Sequence, residues 1–139
     1  MKNVIITVRG LQPEVDAEEP IEVISTGTYH CKAGTHYLRY EEADDEGRIT
    51  KNRITITENS LELTKQGAVT AQMFFTKGEQ NFSCFQTPFG ELLLGMTTKS
   101  LSLAQSEGAF RTRLVYGLEI NGVHVSECEL AIEVTEIGA

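Results

Sequence analysis

Apolar and polar residues alternate along most of this chain, so its dominant period is two rather than 3.6. Val4, Ile6 and Val8 form one such run. Leu61 and Leu63 form another, followed by Val69, Ala71, Met73 and Phe75. Leu92, Leu94 and Met96 continue the pattern, as do Leu101 and Leu103. Successive side chains of a strand point to opposite faces, so each run reads as a strand with one buried face. β-Branched and aromatic residues, which suit a pleated surface, fill these runs. Turn signals recur about every 8–12 residues, the spacing of a sandwich or barrel. The predicted strands are 3–9, 21–31, 35–43, 48–57, 60–66, 68–76, 80–86, 91–98, 100–106 and 109–135, the last divided at Asn121-Gly122. No window reads as an amphipathic helix. Leu11–Pro20 is acidic and bracketed by prolines, and reads as a connection or a single helical turn.

The alternation changes phase once, within LVYGLEINGVHVSECELAIEV (Leu114–Val134). Val123 and Val125 are apolar at odd positions, whereas Cys128, Leu130, Ile132 and Val134 are apolar at even ones. Asn-Gly between alternating runs is a strong signal for a two-residue hairpin turn. Such a turn sets Ile120 opposite Val123. Carried on unbroken, that register puts Arg113 and Arg111 opposite Leu130 and Ile132, mixing charges with the apolar face. One extra residue near Ser126-Glu127 repairs every pair. Tyr116 then meets Cys128, Leu114 meets Leu130, Thr112 meets Ile132, Phe110 meets Val134, and Arg111 meets Glu133. The pattern therefore predicts a β-bulge at Ser126–Glu127, with His124 and Ser126 outward and Cys128 inward. Bulges bend strands in the way a closing barrel requires.

Short loops imply that neighbours in sequence are neighbours in space. A meander of nine or ten strands leaves two long edges unless it closes, and open edges invite aggregation. The fold expected is an all-β, single antiparallel up-and-down barrel over residues 1–139. The 139 residues suit one domain with a core of its own. The net charge of −8 disfavours nucleic acid and anionic membranes. Cys31, Cys84 and Cys128 are odd in number and widely spaced, which is no disulfide framework. Together with the lack of an export signal or a long apolar segment, they predict a cytoplasmic protein.

Three stretches carry a resemblance: HYLRYEE (His36–Glu42), TPFGELLLGMTT (Thr87–Thr98) and the Leu114–Val134 hairpin. Together they resemble the YwiB-like family, small uncharacterised bacterial proteins with a calycin-like β-barrel, along nearly the whole chain. The resemblance implies a lipocalin-like fold and supplies no activity. The chain departs from better-known calycins. It has no tryptophan, hence no Gly-x-Trp signature, and its connection before residue 21 is too short for the two-helix lid of fatty-acid-binding proteins. Carrying lipid binding over would rest on fold analogy alone.

Candidate chemistry is sparse. His30, Cys31 and His36 cluster, but adjacent strand residues face opposite ways and no zinc spacing is present. A surface histidine and a packed cysteine are the simpler reading. No nucleophile elbow and no phosphate-binding glycine loop occur, so nothing demands an enzyme, a cofactor or a metal. Glu42 shares a face with Leu38 and Tyr40 and would point to a barrel mouth. There it would need a partner such as Arg53 or a tyrosine hydroxyl. It is either a ligand-orienting patch or a solvated strand end. Met73, Phe75, Phe110, Leu114, Tyr116 and Leu130 join Leu38 and Tyr40 as inward residues. A barrel of about eight strands is either filled by side chains or holds one small ligand. The leading expectation is a small, partly apolar molecule bound inside. The alternative is a filled, non-catalytic structural or protein-interaction module. The chain is expected as a monomer or weak homodimer.

Overall fold

The computed structural model describes residues 2–10, 21–43, 45–67, 70–87 and 90–137. Ten strands follow in order: β1 (Lys2–Gly10), β2 (Ile21–Lys32), β3 (Thr35–Ala43), β4 (Ile49–Ile56), β5 (Ser60–Gly67), β6 (Ala71–Thr76), β7 (Gln80–Thr87), β8 (Gly90–Ser106), β9 (Ala109–Ile120) and β10 (Val123–Glu136). No helix occurs among the described residues. The expected connection at Leu11–Pro20, and the part of the sixth predicted strand at 68–69, lie outside them.

All pairing is antiparallel, and the sheet runs β6-β5-β4-β3-β2-β1-β10-β9-β8-β7. Chain neighbours pair as a meander should, and β1 pairs with β10 from Val4↔Glu136 to Gly10↔Leu130. Among the described residues, β6 and β7 alone share a short turn without a backbone ladder. Side chains bridge them instead: Asn81 Nδ2 donates to Thr76 Oγ1 at 3.2 Å, and the Ser83 hydroxyl donates to the Gln72 carbonyl. The barrel is thus closed through its first and last strands and nearly closed at the β6–β7 seam.

The final hairpin has the register expected from its alternation. Tyr116, Leu114, Thr112 and Phe110 oppose Cys128, Leu130, Ile132 and Val134, and Arg111 opposes Glu133 at 3.3 Å. The bulge itself lies earlier than expected. Register shifts between His124 and Ser126, so Val125 is the extra residue. Ser126 consequently opposes Leu118 on the inner face rather than pointing outward. A second correction concerns 91–98 and 100–106. They form one strand, β8, with register shifting between Thr98 and Ser100 around Lys99. The bulge preserves the inward phase, so Leu101 and Leu103 follow Leu94 and Met96 onto one face.

Asn121 (φ 51°) and Gly122 (φ 85°) both take the left-handed conformation that a tight two-residue hairpin requires. Ala33 (φ 52°) and Gly34 (φ 80°) do the same between β2 and β3. Among the described residues, inward side chains from nine strands make one core. Val4, Ile6, Leu38, Ile54, Ile56, Leu61, Phe75, Met96, Leu114 and Ile132 are essentially inaccessible. Outward residues carry ion pairs, including the Arg113–Glu129 fork at 3.0 and 2.9 Å.

Candidate functional site

The residues expected at the interior or mouth divide into three groups. Leu38 and Leu114 are 0% exposed, and Phe75 and Phe110 are buried with them. Met73, Tyr116 and Leu130 are partly buried and pack against that cluster. Phe75 and Tyr116 meet ring to ring, 4.8 Å between centroids. These seven are core. Tyr40 and Glu42 continue the inner face of β3 toward one end of the barrel. Burial, and behind it the Glu42 carboxylate, pushes the Tyr40 hydroxyl far above the usual tyrosine range. Arg53 is a correction. Its neighbours Asn52 and Ile54 point inward, so Arg53 points outward and is exposed.

Two residues that were not expected serve Glu42 instead. Glu42 Oε1 accepts from Asn52 Nδ2 at 2.8 Å and from Lys65 Nζ at 2.9 Å. Lys65 also donates to Asn52 Oδ1 at 2.9 Å. The three sit side by side on the inner faces of β3, β4 and β5, since Tyr40 opposes Asn52 and Asn52 opposes Lys65. The network satisfies a half-buried carboxylate within the fold.

A second polar cluster includes His36, which is 3% exposed. Its Nδ1 shares a 2.6 Å hydrogen bond with the Tyr29 hydroxyl, and its ring stacks on Phe110 at 4.5 Å. Burial lowers the His36 pKa. Burial, with Cys31 adding to it, raises Tyr29 to about 12. His30 lies outside against Tyr37. Cys31 is exposed, so Cys128 is the buried cysteine rather than Cys31. Among the described residues no cluster of His, Cys, Asp or Glu could hold a metal ion.

A cavity of about 760 Å³ lies against the outer face of β2–β5. Thr28, Arg39, Arg53 and Thr64 line it in a single cross-strand row: Thr28 opposes Arg39, Arg39 opposes Arg53, and Arg53 opposes Thr64. Glu41 and Lys51, themselves opposite, lie one pleat along. Gly27 lets β2 approach closely here. A Cβ on it would lie 2.2 Å from the Arg39 carbonyl oxygen.

The missed residues had a sequence signal. Asn52 is in phase with Ile54 and Ile56, and Lys65 with Leu61 and Leu63. Extending each apolar phase by one polar residue marks both as inward. Nothing comparable marks the outer cavity, whose residues look like any solvated strand face.

Comparison with known proteins agrees with this architecture. Residues 6–132 match a domain of unknown function, DUF1934. The chain is 30% identical over 103 residues to the uncharacterised β-barrel protein YwiB of Bacillus subtilis (strain 168), covering 74% of this chain and 72% of that protein. The crystal structure of the Bacillus subtilis ywiB protein superposes with a TM-score of 0.80 at 27% identity, over 99% of this chain and 93% of that one.

Proposed function

The chain belongs to the DUF1934 domain family, whose function is unknown, and from that premise we propose that this barrel is a non-catalytic binding module with a solid core. The observation that carries the reading is the position of the 760 Å³ cavity. It opens on the outer face of β2–β5, whereas the inward residues pack against one another. Two further features support it. The inner polar groups Glu42, Asn52, Lys65, Tyr29 and His36 are bonded to one another rather than left to receive a ligand. His36, the buried histidine, has its Nδ1 engaged by Tyr29 instead of by a nucleophile and an orienting carboxylate, as covalent catalysis would need. The unpaired state of all three cysteines supports a cytoplasmic location.

A second reading, a small, partly apolar molecule inside the barrel, has one observation in its favour. The buried Thr98 hydroxyl has no hydrogen-bond partner among the described residues. Native mass spectrometry of gently purified protein, combined with the Thr98→Val variant, separates the two. A solid core predicts the bare chain mass. It also predicts that Thr98→Val stabilises by about 1 kcal/mol, because an orphaned buried hydroxyl is removed without changing shape. A retained apolar adduct that Thr98→Val abolishes would overturn the solid-core reading.

A further inference from the structure

We propose that the outer groove over β2–β5 binds a small organic phosphate, with the phosphoryl group held between Arg39 and Arg53. The inference deepens the binding-module reading and rests on it. It starts from the distribution of cations. Of the chain's twelve lysines and arginines, Lys2, Arg9, Arg48, Lys65, Lys99, Arg111 and Arg113 each have a carboxylate partner. Four of the other five are Lys32, Arg39, Lys51 and Arg53, all on the outer face of β2–β4. Among the described residues these four have no carboxylate within ion-pair distance.

The fifth, Lys77, stands in the β6–β7 turn, so an acidic chain gathers four of its five cations without such a partner on one face. With a net charge of −8, carboxylates outnumber cations over the chain as a whole. Arg39 and Arg53 are moreover directly opposed across β3 and β4, where like charges destabilise a sheet. The arrangement therefore carries a standing repulsion that a bound dianion would relieve. Arginine is the side chain whose planar fork fits phosphate oxygens two at a time. Thr28 and Thr64 flank the pair in register and add a hydroxyl donor at each end of the row. Lys51 stands beside it for a second anionic group. Glu41, also in the groove, can accept from a ligand hydroxyl, which favours a phosphorylated polyol or nucleoside over a bare polyanion. The volume, about 760 Å³, suits a ligand of that size.

The test is titration of the full chain with inorganic phosphate, pyrophosphate and citrate at low ionic strength, followed by amide NMR. Low salt is needed because the groove is exposed and screening is strong. Phosphate and pyrophosphate are expected to shift the amides of Thr28, Arg39, Arg53 and Thr64. Arg39→Gln and Arg53→Gln should each weaken pyrophosphate about tenfold or more, as loss of a charged hydrogen bond does. Lys99→Gln, removing a cation on a distant strand pair, should leave binding unchanged. Both arginine variants should keep or raise the melting temperature in the absence of ligand, because the repulsion is gone. Equal loss with Lys99→Gln, or no shift in the groove amides, would overturn the site. Citrate matching pyrophosphate would overturn the phosphate class. Failure of the solid-core reading would look different: an apolar adduct whose retention is indifferent to Arg39 and Arg53.

Discussion

His36 shows how a single residue changes meaning once its surroundings are known. In the sequence it is one of three histidines beside a cysteine. In the fold it is a buried ring packed against both Tyr29 and Phe110, which also touch each other, and it is held near neutrality by burial. The sign of its pH effect follows. Its pKa is lowered in the folded state relative to the ordinary 6.5, so the unfolded chain binds the extra proton first. Its contribution to stability is complete above about pH 6.5 and is lost as pH falls through the lower folded value. Urea melts between pH 7 and 5 should show declining stability that His36→Gln flattens; an unchanged slope would refute the assignment. Ala33 offers a second test. Its φ of 52° costs an L-residue about 1 kcal/mol, which asparagine or glycine tolerates better. Ala33→Asn, creating the same Asn-Gly pair as at 121–122, should stabilise the protein by about 0.5–1 kcal/mol in thermal unfolding.

At the scale of the element, the two bulges decide which side chains are core. Val125 in β10 and Lys99 in β8 lie on the two strands flanking β9. Lys99 and Glu127 form an ion pair across β9, where Gly117 presents no side chain to keep them apart. Each bulge absorbs one residue so that the apolar phase continues unbroken into the barrel. Deletion of Val125 should therefore be tolerated, costing about 1–2 kcal/mol, because Cys128 through Val134 keep their partners. Deletion of Ala131 shifts Ile132 and Val134 relative to their partners and turns apolar side chains outward. It should abolish folding or cost more than about 4 kcal/mol. Chemical denaturation of the two variants measures the contrast, and comparable losses would contradict the register.

At the scale of the whole molecule, the weak point is the β6–β7 seam. β9 is laddered on both sides, by β8 and β10, whereas β6 and β7 each have one laddered neighbour among the described residues. Local opening follows the least supported hydrogen bonds. Among strand amides, those of β6 and of Gln80–Ser83 should exchange with solvent fastest and those of β9 slowest. Uniform protection would show that the seam is sealed by more than the Asn81–Thr76 and Ser83–Gln72 bonds.

The barrel, its strands and the pairing of the last hairpin were legible in the sequence because they depend on a period of two and on turn chemistry, both local. The Asn121-Gly122 turn sets a register that pattern alone can then extend, and the need to bury Phe110 through Val134 on one face demands a bulge. That demand leaves the bulge free to slide by a residue, which is why Val125 rather than Ser126–Glu127 carries it. The continuity of β8 was likewise hidden, since a phase change reads as a turn until its neighbour is seen to pair across it.

Which residues of each strand share a face can be read from the chain alone, because alternation is a property of the chain. What those faces meet depends on how the strands assemble. That assembly brought Lys65 rather than Arg53 to Glu42, since inward direction follows the pleat and not the choice of charge. It closed the sheet through β1 and β10, leaving the seam at β6–β7. It also set Thr28, Arg39, Arg53 and Thr64 in one row, a coincidence of three separate registers that no single strand contains.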